Sequence, residues 1–348
     1  MSSPSIATLI VAFTCGACAD AAANLESTSV TAQFDDVFEI VDTVHLEESD
    51  TVLNVIPYLS HDPTGGFLVA DGRENRVRRY RPSGRLAWQT GGPGDGPGEF
   101  RDPRAALRLE DQRVLVAQYN QRITLFDSVG HTVLETFVTP FWRIEDVAVV
   151  GRDSILVSAM TEGGFEGSRL HIWRPSRGEI ERSWFQPFVN TPVRDAAIIG
   201  GFSRVAVRGD TVAATWSLAD SVFLFTRSGE RLRALPLSSS FFRLPSDEPP
   251  SPAADAIERA AWLGSFDYVA GVWWASAEVL AVRYFELLPD EAMARRWHLI
   301  LLFPGSGRTI DVRNSPRLLS VDDATGTFVF SDPGSEEPNR WLMATLRQ

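Results

Sequence analysis

Arginine recurs in one setting along this chain: Arg104 follows Pro103, Arg143 follows Trp142, Arg194 follows Pro192-Val193 and Arg317 follows Pro316, each just ahead of an apolar, strand-like run. A guanidinium offers a planar fork of donors that fits carboxylate, phosphate or sulfate oxygens two at a time. Several around one opening would hold an anionic group, and Trp142 and Trp262 would add flat apolar walls. The competing chemistry is structural, since Glu145, Asp146, Asp195 and Asp267 are near enough in sequence to pair with the same arginines.

A metal is the other chemistry these positions offer. Asn54, Glu145, Asp195 and Asp267 carry oxygen ligands and, brought around one axis, would hold Ca²⁺ for a metal-assisted hydrolase or lactonase. The histidines His45, His61, His131, His171 and His298 fall in unrelated places and compose no three-histidine metal set. There is no Gly-x-Ser-x-Gly elbow, and Cys15 and Cys18 both lie in the N-terminal segment, away from any nucleophile's scaffold. The glycine run 91–98 lacks the following Lys and Ser or Thr of a phosphate loop and reads as turn chemistry.

The elements that would position these residues form a repeat. A strand, a polar turn, a second strand, a Gly-centred turn and a third strand recur six times. The clearest copies are 67–71, 75–80, Ser83-Gly84 and 86–88, then 114–117, 122–126, Val129-Gly130 and 133–137. Further copies begin at Ile155, Val212, Val279 and Thr327, and the last lacks its final strand. Weaker runs at 105–109, 144–149, 204–207, 268–272 and 318–321 supply a first strand, making four per unit. The strand missing at the C-terminus has its supplier at 37–41 and 43–46, so the expected fold is all-β: a six-bladed β-propeller whose ring is closed by an N-terminal strand completing the last blade. The recurring arginines then stand where first strands begin, around the channel mouth.

Gly91-Gly-Pro-Gly-Asp-Gly-Pro-Gly-Glu-Phe100 with Asp102-Pro103 resembles the inter-blade signature of NHL-repeat propellers, and residues 67–80 resemble the strand phrase that follows in that family. The resemblance implies the fold; the family includes interaction modules and a few enzymes, so it leaves activity open.

The long connections, 160–168 and 286–296 within blades and 90–103, 187–196 and 243–261 between blades, all belong on the mouth face, with tight turns opposite. Binding residues concentrate on such loops. Residues 243–252 are Pro-rich and 253–261 helical in composition, which suggests a small lid over part of the mouth.

The formal net charge is −12, from 45 acidic and 33 basic residues, every one of the latter an arginine. That balance repels nucleic acid. Residues 1–23 read as an export signal, with an apolar run at 6–13 and small residues after it. Gly16-Ala17-Cys18 resembles the end of a lipobox, making Cys18 the lipidation site; the alternative is ordinary cleavage after Ala19 or Ala23. Residues 24–33 are then a linker and 34–348 the propeller. The expectation is an exported binding module, placed in the periplasm or outer membrane as a lipoprotein and otherwise secreted. It carries no cofactor, touches membrane only through its anchor, and takes a protein or a small anionic ligand as partner.

Overall fold

The computed structural model describes residues 28–47, 58–162, 164, 167–187, 201–237, 242–245, 250–251, 254–291, 294–333 and 339–347. Alternation of apolar and polar residues every second position makes each run a strand with two faces, and in a propeller both faces of the inner strands are covered by neighbouring blades. Strand Val114–Gln118 is accordingly buried throughout, whereas the outer strand Arg231–Pro236 is mostly exposed. Six sheets follow in order: residues 58–91, 103–138, 143–184, 203–236, 267–312, and 318–346 with 38–45. Each is an antiparallel meander of four strands from the channel outward. The six-bladed propeller expected from the repeat is the observed fold.

The ring closes as expected. Strand Phe38–His45 pairs antiparallel with Arg340–Leu346, from Phe38 opposite Leu346 to His45 opposite Arg340, with a bulge between Ile40 and Asp42. It is one bulged strand rather than the two short runs read from sequence. Phe38 stacks on Phe34 and meets Phe328 and Phe330 edge-on, with centroids 5.0–5.2 Å apart. On the other side of blade six, Trp341 meets Phe67 of blade one at 5.6 Å.

Part of the expected linker is structured. Ser29–Ala32 forms a fifth strand on blade five, parallel to its outer strand Arg308–Val312 with Ser29 opposite Thr309. It covers an edge that would otherwise offer unpaired backbone groups. A helical turn, Phe34–Val37, then leads into the closing strand. Because fourth strands run toward the mouth face, the chain enters Ser29–Ala32 from the tight-turn face, beside Ser306 and Gly307.

The glycine run is a junction, not a ligand loop. Phe100 is fully buried between blades one and two, and its backbone N–H donates to the carbonyl of Gly92 at 2.8 Å. Gly91 has φ +105°, and a Cβ there would lie 2.5 Å from the Phe100 ring, so only glycine allows that ring to seat.

The closing strand sets a stability test. Phe38→Ala removes a buried ring from a cluster of four aromatics and should cost about 3–5 kcal/mol, read as a lower urea midpoint. Ile40→Ala, on the same strand but half exposed, should stay within about 0.5 kcal/mol of the parent.

Candidate anion-binding site

Six innermost strands run down one axis, each entering from the mouth face, so the residues that open them converge by topology alone. Tyr58 opens blade one, Pro103-Arg104 blade two, Arg143 blade three, Ser203-Arg204 blade four, and Arg317 immediately precedes blade six. Tyr58, Arg104, Arg143, Arg204 and Arg317 line one cavity of about 460 Å³ that draws on all six blades; Asp267, which opens blade five, is not among its lining residues.

The arginines around the cavity meet different neighbours. Arg104 pairs with Asp102 and with the Tyr58 hydroxyl, and its guanidinium lies over Tyr119, 4.7 Å from the ring centre, while Arg204 donates to the Glu145 carbonyl. Arg143 is 3.0 Å from the Glu145 carboxylate. Glu145 also accepts from the backbone N–H of Ser203 at 2.5 Å, and Asp146 accepts from that of Val205 at 3.0 Å. Burial raises the pKa of both carboxyls, while Arg143 acts in the opposite sense on Glu145 and Arg204 on Asp146.

Blades four, five and six bring Arg204, Arg283, Arg295 and Arg317 together. Arg283, Arg295 and Arg317 surround one indole: their guanidinium carbons lie 5.0, 5.9 and 4.9 Å from the Trp297 ring. Arg283 is buried and donates to the carbonyls of Ala270, at 2.8 Å, and Leu318. Burial, and then the like charges of Arg317, Arg204 and Arg295, push its pKa well down; Arg317 falls to about 10 from burial and the same kind of neighbours. Cations that depress one another in a partly dry cleft are a candidate seat for an anion, because a negative group there would relieve both burial and repulsion.

The seat is built by blade five. Gly271, opposite Arg283 across a bulge in the innermost strand, lies against the Trp273 indole, where an added Cβ would come within 2.0 Å. The absence of a side chain lets Trp273 fold over and contact Arg283 at 5.2 Å. From Trp297 on the third strand an aromatic chain crosses blade five through Phe285 and Tyr268, on its second and innermost strands, to Phe266 and Trp262, each neighbouring pair with centroids 5.0–5.1 Å apart.

Of the sequence candidates, Arg104, Arg143 and Arg317 line the cavity, and Arg194 lies outside the described residues. The position read for Arg194 is held by Arg204, second residue of its innermost strand just as Arg104 is in blade two; that shared placement was the available signal. Arg283 and Arg295 escaped notice because they come from second and third strands. Trp142 is 53% exposed and does not line the cavity. Trp262 is not a wall either but the last ring of the aromatic chain.

Of the expected lid, residues 246–249, 252 and 253 lie outside the described residues, and its helical part stands away from the cavity. Helix Ala256–Leu263, capped by Asp255 accepting from Glu258 N–H at 2.8 Å, packs beside the 3₁₀ turn Pro289–Glu291, and none of its residues lines the cavity. Its end is anchored by Trp262 and Leu263 in the cluster that holds Phe285 and Trp297.

The oxygen set read for calcium does not assemble among the described residues. Asn54 and Asp195 lie outside them, Glu145 stands in the channel wall against Arg143, and Asp267 is on the rim, held by Arg243 at 2.6 Å. Among the described residues no three His, Cys, Asp or Glu side chains group for a metal.

No protein-family model matches this chain, and no curated protein matches it in sequence. Among solved structures it is similar to a candidate exported protein of Bacteroides fragilis, at 12% identity over 92% of this chain and 98% of that chain, with a TM-score of 0.61. It is also similar to a member of the DUF4221 family from Bacteroides vulgatus, at 11% identity over 90% of this chain and 98% of that one, with a TM-score of 0.62. At such identities the likeness is one of fold.

The buried histidines give a pH test. His171 is packed between Ser183, 2.7 Å from Nδ1, and the Ala159 carbonyl, and burial lowers its pKa to about 4. A group neutral in the fold but protonated at about 6.5 when unfolded adds stability at neutral pH that is lost as pH falls from about 6.5 toward 4. Replacing it with Gln should flatten that stretch of the stability–pH curve by on the order of 3 kcal/mol, measured by urea unfolding between pH 7 and 4.5.

Proposed function

We propose that this protein is an exported binding module of the cell envelope that captures a small anionic ligand at the mouth of its channel. One observation carries the reading: Arg104, Arg143, Arg204, Arg283, Arg295 and Arg317 line a single cavity, while among the described residues the carboxylates lining it are those of Glu145, Asp146 and Asp323, two of them already accepting backbone hydrogen bonds. Arginine forks in such excess, partly desolvated and stacked on aromatic rings, suit a carboxylate, phosphate or sulfate. The fold provides rigidity: the seat rests on strands and stacked rings instead of on long loops.

Export is supported by the apolar and small-residue pattern of residues 1–23, and by the description of one structural neighbour as a candidate exported protein. Lipidation at Cys18 fits the geometry in a specific way. The N-terminal chain joins blade five from the tight-turn face, so an anchor on that segment would hold the propeller with its arginine mouth turned away from the bilayer.

Calorimetric titration of the purified protein with carboxylates, phosphate and sulfate tests the reading. Arg295→Ala and Arg204→Ala should each weaken binding about tenfold or more, since a charge-assisted hydrogen bond is worth about 1.5–3 kcal/mol. Arg177→Ala, on an exposed turn of the opposite face, should leave affinity unchanged. The thermal midpoint of unliganded Arg295→Ala should equal or exceed the parent's, because a like charge is removed from the cluster. Equal binding by parent and both mouth variants would refute the assignment.

A further inference from the structure

We infer that the ligand of this mouth is an amphipathic anion: one oxyanion head among the guanidinium groups and an apolar tail extending down the channel. The inference rests on the anion-binding reading above and adds the class of molecule bound.

Depth along the channel can be read from residue order, since the innermost strands all start at the mouth. The first level is cationic and aromatic: Tyr58, Arg104, Arg143, Arg204 and Arg317. One to two turns of pleat further in, the wall changes character. Leu59, Leu107, Val149, Val207 and Trp273 line the same cavity, and each is half-buried rather than sealed between blades, so apolar surface faces the open channel. Ser60 lies at this depth too, but its hydroxyl is committed to the carbonyl of Ala106. Carboxylates line the same wall: Asp146, which accepts from the Val205 N–H beside Arg204, and Asp323, close to His61 at the far end.

This gradient excludes two kinds of occupant. An inorganic anion would satisfy the mouth and leave the aliphatic wall of the cavity, which measures about 460 Å³ in all, without a partner. A polyanion or a polyhydroxylated acid would set its further charges against Asp146 and Asp323, or its hydroxyls against valine and leucine, where unpaired polar groups are costly. A single acidic head on an aliphatic or aryl tail matches both levels. The volume lies in the range typical of organic-ligand sites, which are mostly apolar with a few placed polar groups.

The test is calorimetric titration of the purified protein with straight-chain carboxylates from acetate to octanoate, alongside hexanamide as the uncharged counterpart of hexanoate. Affinity should rise about threefold to fourfold per added methylene, the increment for burying a CH₂, until the channel is filled. Hexanamide should bind at least tenfold more weakly than hexanoate. Val207→Asn and Val149→Asn should flatten the chain-length dependence while leaving acetate affinity unchanged; Val207→Ser serves the same purpose if the larger amide prevents folding. Arg295→Ala should weaken every member of the series by a similar factor. Equal affinity for acetate and octanoate would overturn the amphipathic ligand while leaving the anion seat standing. A length dependence insensitive to the channel variants would overturn it too, by placing the tail elsewhere. Failure of every carboxylate to bind would overturn this inference, and failure of phosphate and sulfate as well would overturn the anion-binding reading with it.

Discussion

Ring closure is the constraint from which the rest of this structure follows. A row of five sheets and a three-stranded remnant has an open edge and no common axis; pairing Phe38–His45 with Arg340–Leu346 supplies the missing strand and makes the innermost strands converge. Once they converge, the residues that open them have no choice but to meet. Arg104, Arg143, Arg204 and Arg317 are separated widely in sequence, yet each needs only its own strand's starting point to arrive at the mouth. The same pairing that abolishes a sheet edge therefore assembles the site, and the phenylalanines around Phe38 hold both.

The cost of assembling it is electrostatic. Arginine tolerates partial burial because its guanidinium is diffuse, weakly hydrated and able to lie flat on an aromatic face. That is how this channel accommodates its cations: Trp297 carries three of them, Tyr119 two, and the carbonyls of Ala270 and Leu318 take the forks of Arg283. Such contacts compensate for lost water only in part, as the depressed pKa values of Arg283 and Arg317 show. A site that stores repulsion in the empty state gains the most from a ligand of opposite charge.

How much of this was legible in the sequence depended on whether position followed from local pattern or from packing. Strand alternation, Gly-centred turns and the orphan strand at the N-terminus are local, and they led to the blade count and the closure. The placement of Arg104, Arg143 and Arg317 was equally local, because each stands at a strand start. Arg283 and Arg295 were not, since a second-strand residue reaches the channel only where the first strand gives way. Here that happens at Gly271, whose role depends on the Trp273 indole lying against it. Trp262 misled for the same reason: its side chain suited a wall, but it packs on Phe266 in the cluster that holds Tyr268 and Phe285 and does not reach the cavity. The strand Ser29–Ala32 was hidden because an added edge strand needs only a free partner, not an amphipathic pattern of its own.

These irregularities concentrate in one place. Strands Leu280–Leu288 and Ala294–Phe303 of blade five are nine and ten residues long, against five for Val114–Gln118 and Arg122–Phe126 in blade two. The added length carries Arg295 and Trp297 up to the mouth, the bulge and Gly271 let Arg283 through beneath them, and the helix beyond braces the stacked rings. Blades two and three, whose innermost strands also carry bulges, pair their arginines with Asp102 and Glu145. Blade five thus differs from the others in the length of its middle strands and in the helix set against its rings, and it alone sends residues of its second and third strands, Arg283 and Arg295, to the cavity among the described residues.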